Sequence, residues 1–404
     1  MEKDDRLSLA MHPPVVVLDG SQQPYLFATA KGTMFCQAQL HAPPFNTKGK
    51  TVYHVRIGTA VSRDGGATWS HWAAQENHDD VNIEGGAIER SDGTIMLVDT
   101  FVMPADQPEH GLIEIWKSRD DLKTVEGPHF VDCSLPKINW SGSTDDMGRP
   151  HKAARLHRSV VELPGGDLLT TMYSWFGDDH APCPYMPTMM KTRTVVLRSR
   201  DQGEHWAYLA TVAVDGAVGT EGFGEPVLAR ISHGAHSGRL LCVMRTGRDL
   251  YRAHSDDNGM TWSRPGPIKF PGVDIYDTSK WEKLFVDPTA PGYVPSDQML
   301  GVTVDPELIE MRDGTLVCSV GVRTPEKLFL TNYTSPVNGD YLAFSLDGGD
   351  TWSEVVQFLS GQPTTQYMGI REIAPGVLYV VYDDSIWKPA GRTMGFRLDV
   401  KRRG

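Results

Sequence analysis

The stretch SRDGGATWS (62–70) is rewritten along the chain as SRDQGEHW (199–206), SDDNGMTWS (255–263) and SLDGGDTWS (345–353), with a worn copy, SRDDLKTV, at 118–125. A repeated catalytic motif would keep its reactive groups and vary its frame. Here the frame is kept: a serine, an aspartate two residues on, a glycine and a tryptophan. The aspartate can accept hydrogen bonds from turn N–H groups, a glycine takes positive φ, and the tryptophan packs between strands. The phrase therefore reads as a structural turn, and the chemistry is expected elsewhere.

Upstream of each copy lies a second phrase, an apolar strand, a turn and another apolar strand. It reads LFATAKGTMFCQAQ (26–39), GAIERSDGTIMLVDT (86–100), SVVELPGGDLLTTMY (159–173), PVLARISHGAHSGRLLCVMR (226–245), ELIEMRDGTLVCSVGVR (307–323) and GIREIAPGVLYVVYD (369–383). Six copies, most followed by a third strand, the aspartate turn and a fourth strand, predict an all-β, six-bladed β-propeller in one domain spanning 1–404. The last unit has only three strands, and MHPPVVVLD (11–19) is placed to supply the missing outer one and close the ring.

Composition narrows the function. The chain has 404 residues, 22% charged and 40% hydrophobic, with a net charge of −12. That balance and the lack of a Lys/Arg run argue against a nucleic-acid partner. No apolar stretch reaches the ~18 residues of a membrane span. The five cysteines are scattered and read as buried free thiols. The acidic N-terminus shows no apolar leader, which favours the cytoplasm; a secreted or periplasmic protein with its leader removed would read the same. No His/Asp spacing has the regularity of a metal motif, so neither metal nor cofactor is expected.

Propellers place function where the inner strands converge. Aligned on the shared turn glycine, the strand-1 entrances are Tyr25, Gly86, Arg158, Glu225, Glu307 and Gly369. The strand-2 exits are Gln39, Thr100, Tyr173, Arg245, Gly321 and Asp383, with His41 and Arg323 two residues further. So many charged and aromatic groups at positions that a plain core would make apolar mark a candidate site.

The turn phrase resembles the Asp-box, or BNR repeat, of the sialidase (neuraminidase) superfamily, and the resemblance extends over nearly the whole chain. It implies hydrolysis of a terminal sialic acid by a tyrosine nucleophile activated by a glutamate, with three arginines on the substrate carboxylate and an aspartate as acid/base. GEPVLARI…LLCVMRTG (224–247) is similar to the family's glutamate-to-arginine segment, which puts the activating carboxylate at Glu225 and a carboxylate-binding arginine at Arg245. YMGIREIAPGVLYVVYD (367–383) resembles the nucleophile segment, which puts the tyrosine at Tyr367 and an orienting carboxylate at Asp383.

The chain also departs from the pattern. Gln22 stands where the first arginine is expected, while Pro24 is kept. The loop LHAPPFNTKGKTVYHV (40–55) carries His41 and His54 but no acid/base aspartate. The third arginine is missing from TNYTSPVNGDYLAFS (331–345), with Arg323 nearby and Arg158 as an extra arginine. The expected substrate groups are thus Arg245, Arg158, Arg323, Gln22, Tyr173, Trp175, Glu307 and Asp383, with Tyr367, Glu225 and His41 catalytic. Trp175 lies in YSWFGDDHAPCPYMPTMM (173–190), a loop expected to overhang the site with a stacking surface and with Asp178, Asp179 and His180 as proton donors. The connection 264–300 is expected at the rim, and His151 and His157 enter the third unit beside Arg158.

The resulting expectation is an exo-acting glycosidase that takes a terminal acidic sugar from a glycan. Two alternatives stand beside it. One is a uronate-directed lyase or rhamnosidase-type enzyme on the same fold, with His41, His157 or a tyrosine moving protons. The other is a non-catalytic glycan-binding propeller.

Overall fold

A computed structural model describes residues 6–41, 56–72, 81–141, 154–184, 186, 188–277, 300–326, 336–361, 364–385 and 391–403. His54, His151 and most of the 264–300 connection lie outside them. The described residues form β-strands and one short 3₁₀ turn, with no α-helix among them and no helix long and apolar enough to cross a membrane.

After β1 (Leu7–Met11) and β2 (Val15–Asp19), the first antiparallel run is β3 (Ser21–Ala28), β4 (Met34–Leu40), β5 (Arg56–Ser62) and β6 (Ser70–Trp72). The second is β7 (Gly86–Glu89), β8 (Ile95–Pro104), β9 (His110–Ser118) and β10 (Glu126–Ser134). The third is β11 (Ala154–Glu162), β12 (Leu168–Ser174), β13 (Arg193–Ser199) and β14 (His205–Ala213). The fourth is β15 (Gly224–Arg230), β16 (Leu240–Arg245), β17 (Tyr251–Ser255) and β18 (Gly266–Pro267). The fifth is β19 (Val302–Glu310), β20 (Leu316–Arg323), β21 (Gly339–Ser345) and β22 (Glu354–Ser360). The last is β23 (Met368–Ala374), β24 (Val377–Asp383) and β25 (Arg392–Arg402), completed by β1 and β2, which both pair with β25. The N-terminal segment thus supplies the outer strand that the last repeat lacks.

The second and third runs are fused. A parallel β10–β14 pairing and a β8–β11 pairing close a circuit of seven strands around one apolar core that includes Val98, Ile115, Leu156, Leu197 and Trp206. Elsewhere the runs meet by packing and by a few backbone hydrogen bonds, such as those between Thr192 and the 221–223 segment. β7 packs on β11, β11 on β15, β15 on β19, β19 on β23 and β23 on β3. Tyr25 and Phe27 of β3 share a core with Ala87 of β7. All five cysteines are buried and free.

The repeated turn has one hydrogen-bond scheme. In the first copy the Ser62 hydroxyl donates to Asp64 Oδ1 at 2.8 Å and accepts from the Gly66 N–H at 3.0 Å, while the Thr68 N–H and hydroxyl donate to Asp64 at 3.0 and 2.6 Å. The scheme recurs around Asp120, Asp201, Asp257 and Asp347. Gly66 sits at φ +86°, and a Cβ there would meet the Tyr379 ring at 2.0 Å, so the turn needs glycine twice over. Trp206 and Trp352 are buried in the cores behind their turns, and Trp69 donates its indole N–H to the Tyr379 hydroxyl at 3.1 Å. In an antiparallel run the turn after the third strand lies at the opposite end from the first-strand entrance.

These turns are expected to make the fold acid-sensitive. Hydrogen bonds from the threonine four residues on hold Asp64, Asp120 and Asp257 down to about 2. A carboxylate depressed below its unfolded value of about 3.9 contributes stability that is complete above that value and lost as pH falls through the folded one. We expect the urea midpoint to fall between pH 4 and 2, and to fall less steeply in the variant combining Asp64→Asn, Asp120→Asn and Asp257→Asn. An unchanged slope in that variant would show that the turns are not the acid-labile element.

Candidate active site

The site is built at the entrances of the six first strands. Each entrance carries one residue with positive φ: Gln23 (51°), Gly86 (142°), Arg158 (54°), Glu225 (41°), Asp305 (46°) and Gln366 (55°). In β3, β11, β15 and β19 the pairing register also shifts there. A bulge re-aims the side chain of the inserted residue, and left-handed backbone at a non-glycine position costs about 1–3 kcal/mol. Such strain, repeated around the convergence point, is characteristic of a functional site.

The Tyr367 hydroxyl donates to Glu225 Oε1. Arg245 Nη1 lies 2.9 Å from the same oxygen and 3.2 Å from the Tyr367 hydroxyl, and Arg245 Nη2 donates to Glu221 Oε1 at 2.6 Å. Tyr367 is 8% exposed and the Glu225 side chain 13%, so the pair is nearly but not wholly enclosed. Burial opposes the charge of Glu225, yet Arg245 and the Tyr367 hydrogen bond hold it at about 2. Burial and the Glu225 charge push the Tyr367 phenol well above its ordinary value. The phenol is therefore neutral, and its proton points at an ionised carboxylate.

Arg158 lies beneath the tyrosine. Its Nη1 donates to Asp305 Oδ2 at 2.9 Å and to the Met368 carbonyl, and its Nη2 donates to the Pro24 carbonyl at 3.1 Å. The guanidinium carbon sits 5.4 Å from the Tyr367 ring centroid and 5.6 Å from that of Tyr25. One arginine of β11 thus ties together the first, fifth and sixth runs.

Around this centre, Asp383 accepts the N–H groups of Gln23 and Thr365 at 3.0 and 2.8 Å. Burial raises it to about 6 despite those bonds. Arg323 donates to Gln366 Oε1 at 3.1 Å and to the Thr365 carbonyl at 2.7 Å, with its guanidinium 5.9 Å from the Tyr367 ring. Glu307 is buried and receives Arg371, which also reaches the Tyr25 hydroxyl at 2.8 Å. Tyr173 sets its ring edge-on to His157 at 6.5 Å. Burial and the Arg158 charge hold His157 down to about 3.

No protein-family model and no curated protein matches the sequence. Solved structures do match. A protein of unknown function from Dyadobacter fermentans shares 17% identity at a TM-score of 0.65, covering 97% of this chain and 99% of that one. The Hadza microbial sialidase Hz136 shares 14% at 0.59, covering 96% and 68%. The α-L-arabinanase of Penicillium chrysogenum, solved with arabinobiose, shares 14% at 0.57, covering 96% and 98%. The chain has the propeller-type fold of these glycoside hydrolases. At such identities the likeness concerns the fold alone.

Against this geometry the expected residues divide. Tyr367, Glu225 and Arg245 come together, with Arg323 beside the tyrosine ring. Arg158, expected to bind substrate, does not line an accessible surface: its side chain is fully buried and spent on Asp305 and two backbone carbonyls. Trp175 is also corrected. It is 4% exposed and donates its indole N–H to the Met190 carbonyl at 2.7 Å, so its face is packed rather than presented for stacking. Asp178 and Asp179 are spent on Arg193, at 2.9 and 2.6 Å. Gln22 is buried beside Gln39, and His41 follows β4; neither is among the hydrogen-bond partners of Tyr367 or Glu225.

Three carboxyls of the centre were not expected: Glu221, Asp305 and Asp340. Asp305 was missed because counting back from the turn glycine led to Glu307, two residues too far along. The signal was present as a residue-proline pair, Gln23-Pro24, Glu225-Pro226 and Asp305-Pro306. Asp340 is fully buried on β21 with both carboxyl oxygens unpartnered. It lies within the TNYTSPVNGDYLAFS segment, where the family resemblance expects an arginine.

Proposed function

We propose that the chain is a six-bladed propeller of Asp-box type and an exo-acting glycoside hydrolase of sialidase-like mechanism, cleaving a terminal sugar from a glycan. The observation that carries this reading is the Tyr367 hydroxyl donating to Glu225 beside Arg245. A phenol is a weak nucleophile unless a base takes its proton as it attacks. Glu225 is in place to do so, and a tyrosine nucleophile is a known exception to the two-carboxylate scheme. A neutral phenol also approaches an anionic sugar without charge repulsion.

The substrate we propose is a terminal acidic sugar, with Arg245, which meets the Tyr367 hydroxyl, and Arg323, 5.9 Å from its ring, as the candidate carboxylate partners. A second reading, a neutral terminal sugar, is favoured by one observation: both Nη atoms of Arg245 already meet carboxylates. Aryl glycosides of sialic acid, uronic acids, rhamnose and arabinofuranose separate the two. On the first reading the acidic substrates turn over and Arg245→Ala raises their KM by about 30-fold or more, the scale of losing a buried charge contact. Turnover confined to neutral glycosides would replace the first reading by the second. An unsaturated product absorbing in the ultraviolet would mark a lyase and overturn both.

A further inference from the structure

We propose that His157, Glu225 and Asp305 form a site for one divalent transition-metal ion, zinc foremost. The inference does not depend on the glycosidase reading. One potential ligand atom from each residue lies within 4.8 Å of the other two. The three come from β11, β15 and β19, first strands that pack in succession, and each sits at or next to a positive-φ entrance residue.

The polar atoms that face one another are unsatisfied. Glu225 Oε2, Asp305 Oδ1 and the His157 ring nitrogens have no hydrogen-bond partner, although His157 is 2% exposed and Asp305 fully buried. Leaving such an atom buried and unpaired is costly. Three converging on one point form a ligand shell more readily than a packing accident. Their companion atoms are held: Glu225 Oε1 by Arg245, and Asp305 Oδ2 by Arg158 and the Met368 N–H at 2.9 Å. Outer-shell bonds of this kind orient ligands.

The donor set selects the ion class. One imidazole nitrogen with two carboxylate oxygens suits zinc or manganese better than magnesium or calcium. Tetrahedral zinc with ligands at about 2.0–2.1 Å separates its ligand atoms by roughly 3.4 Å. His157 Nε2 and Asp305 Oδ1 are already 3.8 Å apart, so little contraction is needed. The nearby cations do not forbid a metal, because Arg245 is also balanced by Glu221.

The test uses the full chain, stripped with EDTA and dialysed against Zn²⁺, with elemental analysis and calorimetry. We expect one tightly held zinc per chain and an absorption-edge spectrum showing nitrogen and oxygen donors at about 2.0–2.1 Å. His157→Gln and Asp305→Asn should each weaken binding by about 100-fold or more, with circular dichroism reporting their fold. His205→Gln, which removes an exposed histidine paired with Asp201, should leave the tight site intact, as should Tyr367→Phe. Absence of stoichiometric zinc, or unchanged binding in a folded His157→Gln, overturns the site. Loss of turnover in Tyr367→Phe without any zinc binding would overturn it while leaving the glycosidase reading in place.

Discussion

Replacing Tyr367 by phenylalanine is expected to abolish turnover, by roughly 10³-fold or more, the scale on which removing a nucleophile is felt. The substitution deletes one oxygen. The ring keeps its place over Arg158, and Glu225 keeps Arg245 as a partner at 2.9 Å. Affinity for a non-hydrolysable analogue should therefore change by less than about tenfold, the most that one lost hydrogen bond ordinarily costs. Glu225→Gln should slow the reaction by at least about 100-fold, as loss of a general base does. Rapid-quench kinetics on the folded variants, beside analogue titrations, read both effects. A fully active Tyr367→Phe would remove tyrosine from the reaction, and with Glu225→Gln still inert would make the carboxylate itself the nucleophile.

The second large effect falls on stability. Arg158→Leu should destabilise the fold by about 3–5 kcal/mol, the cost of leaving a buried carboxylate without its partner. The guanidinium joins Asp305, the Pro24 carbonyl and the Met368 carbonyl, so its loss strands groups in three separate runs. Arg158→Lys keeps the charge but not the fork and should lie between wild type and leucine. Urea unfolding followed by tryptophan fluorescence gives the comparison. Arg158→Leu within about 1 kcal/mol of wild type would show that the network under Tyr367 is not what holds the entrances together.

Much of the architecture was legible in the residues because it depends on local pattern. The serine-aspartate-glycine-tryptophan turn closes its hydrogen bonds within seven residues, so five copies could be read as one device, including the copy at 118–125 where the tryptophan has become Val125. The paired apolar strands around a turn glycine could be counted. The segment at 11–19 read as an outer strand, and it pairs with β25 together with β1, which was not foreseen. Glu225, Arg245 and Tyr367 were reached by resemblance, each within a phrase of its own run.

The centre was harder to read. The strand-entrance bulge of β19 shifts the inward residue by two positions, which substituted Glu307 for Asp305 in the alignment. Burial inverted two roles. Arg158 and Trp175 carry the chemistry of a substrate contact, but the first is enclosed by carbonyls and Asp305, and the second by its own loop.

By itself, then, the sequence determined the all-β repeat and its turns, because each is written in a short stretch, while the tyrosine, glutamate and arginine were named only through a resemblance. Only the tertiary structure decided which charges meet. His157, Glu225 and Asp305 lie on three different strands, and nothing in their linear spacing relates them. Their convergence is a property of how the first strands pack, and packing brings together residues that the chain keeps far apart.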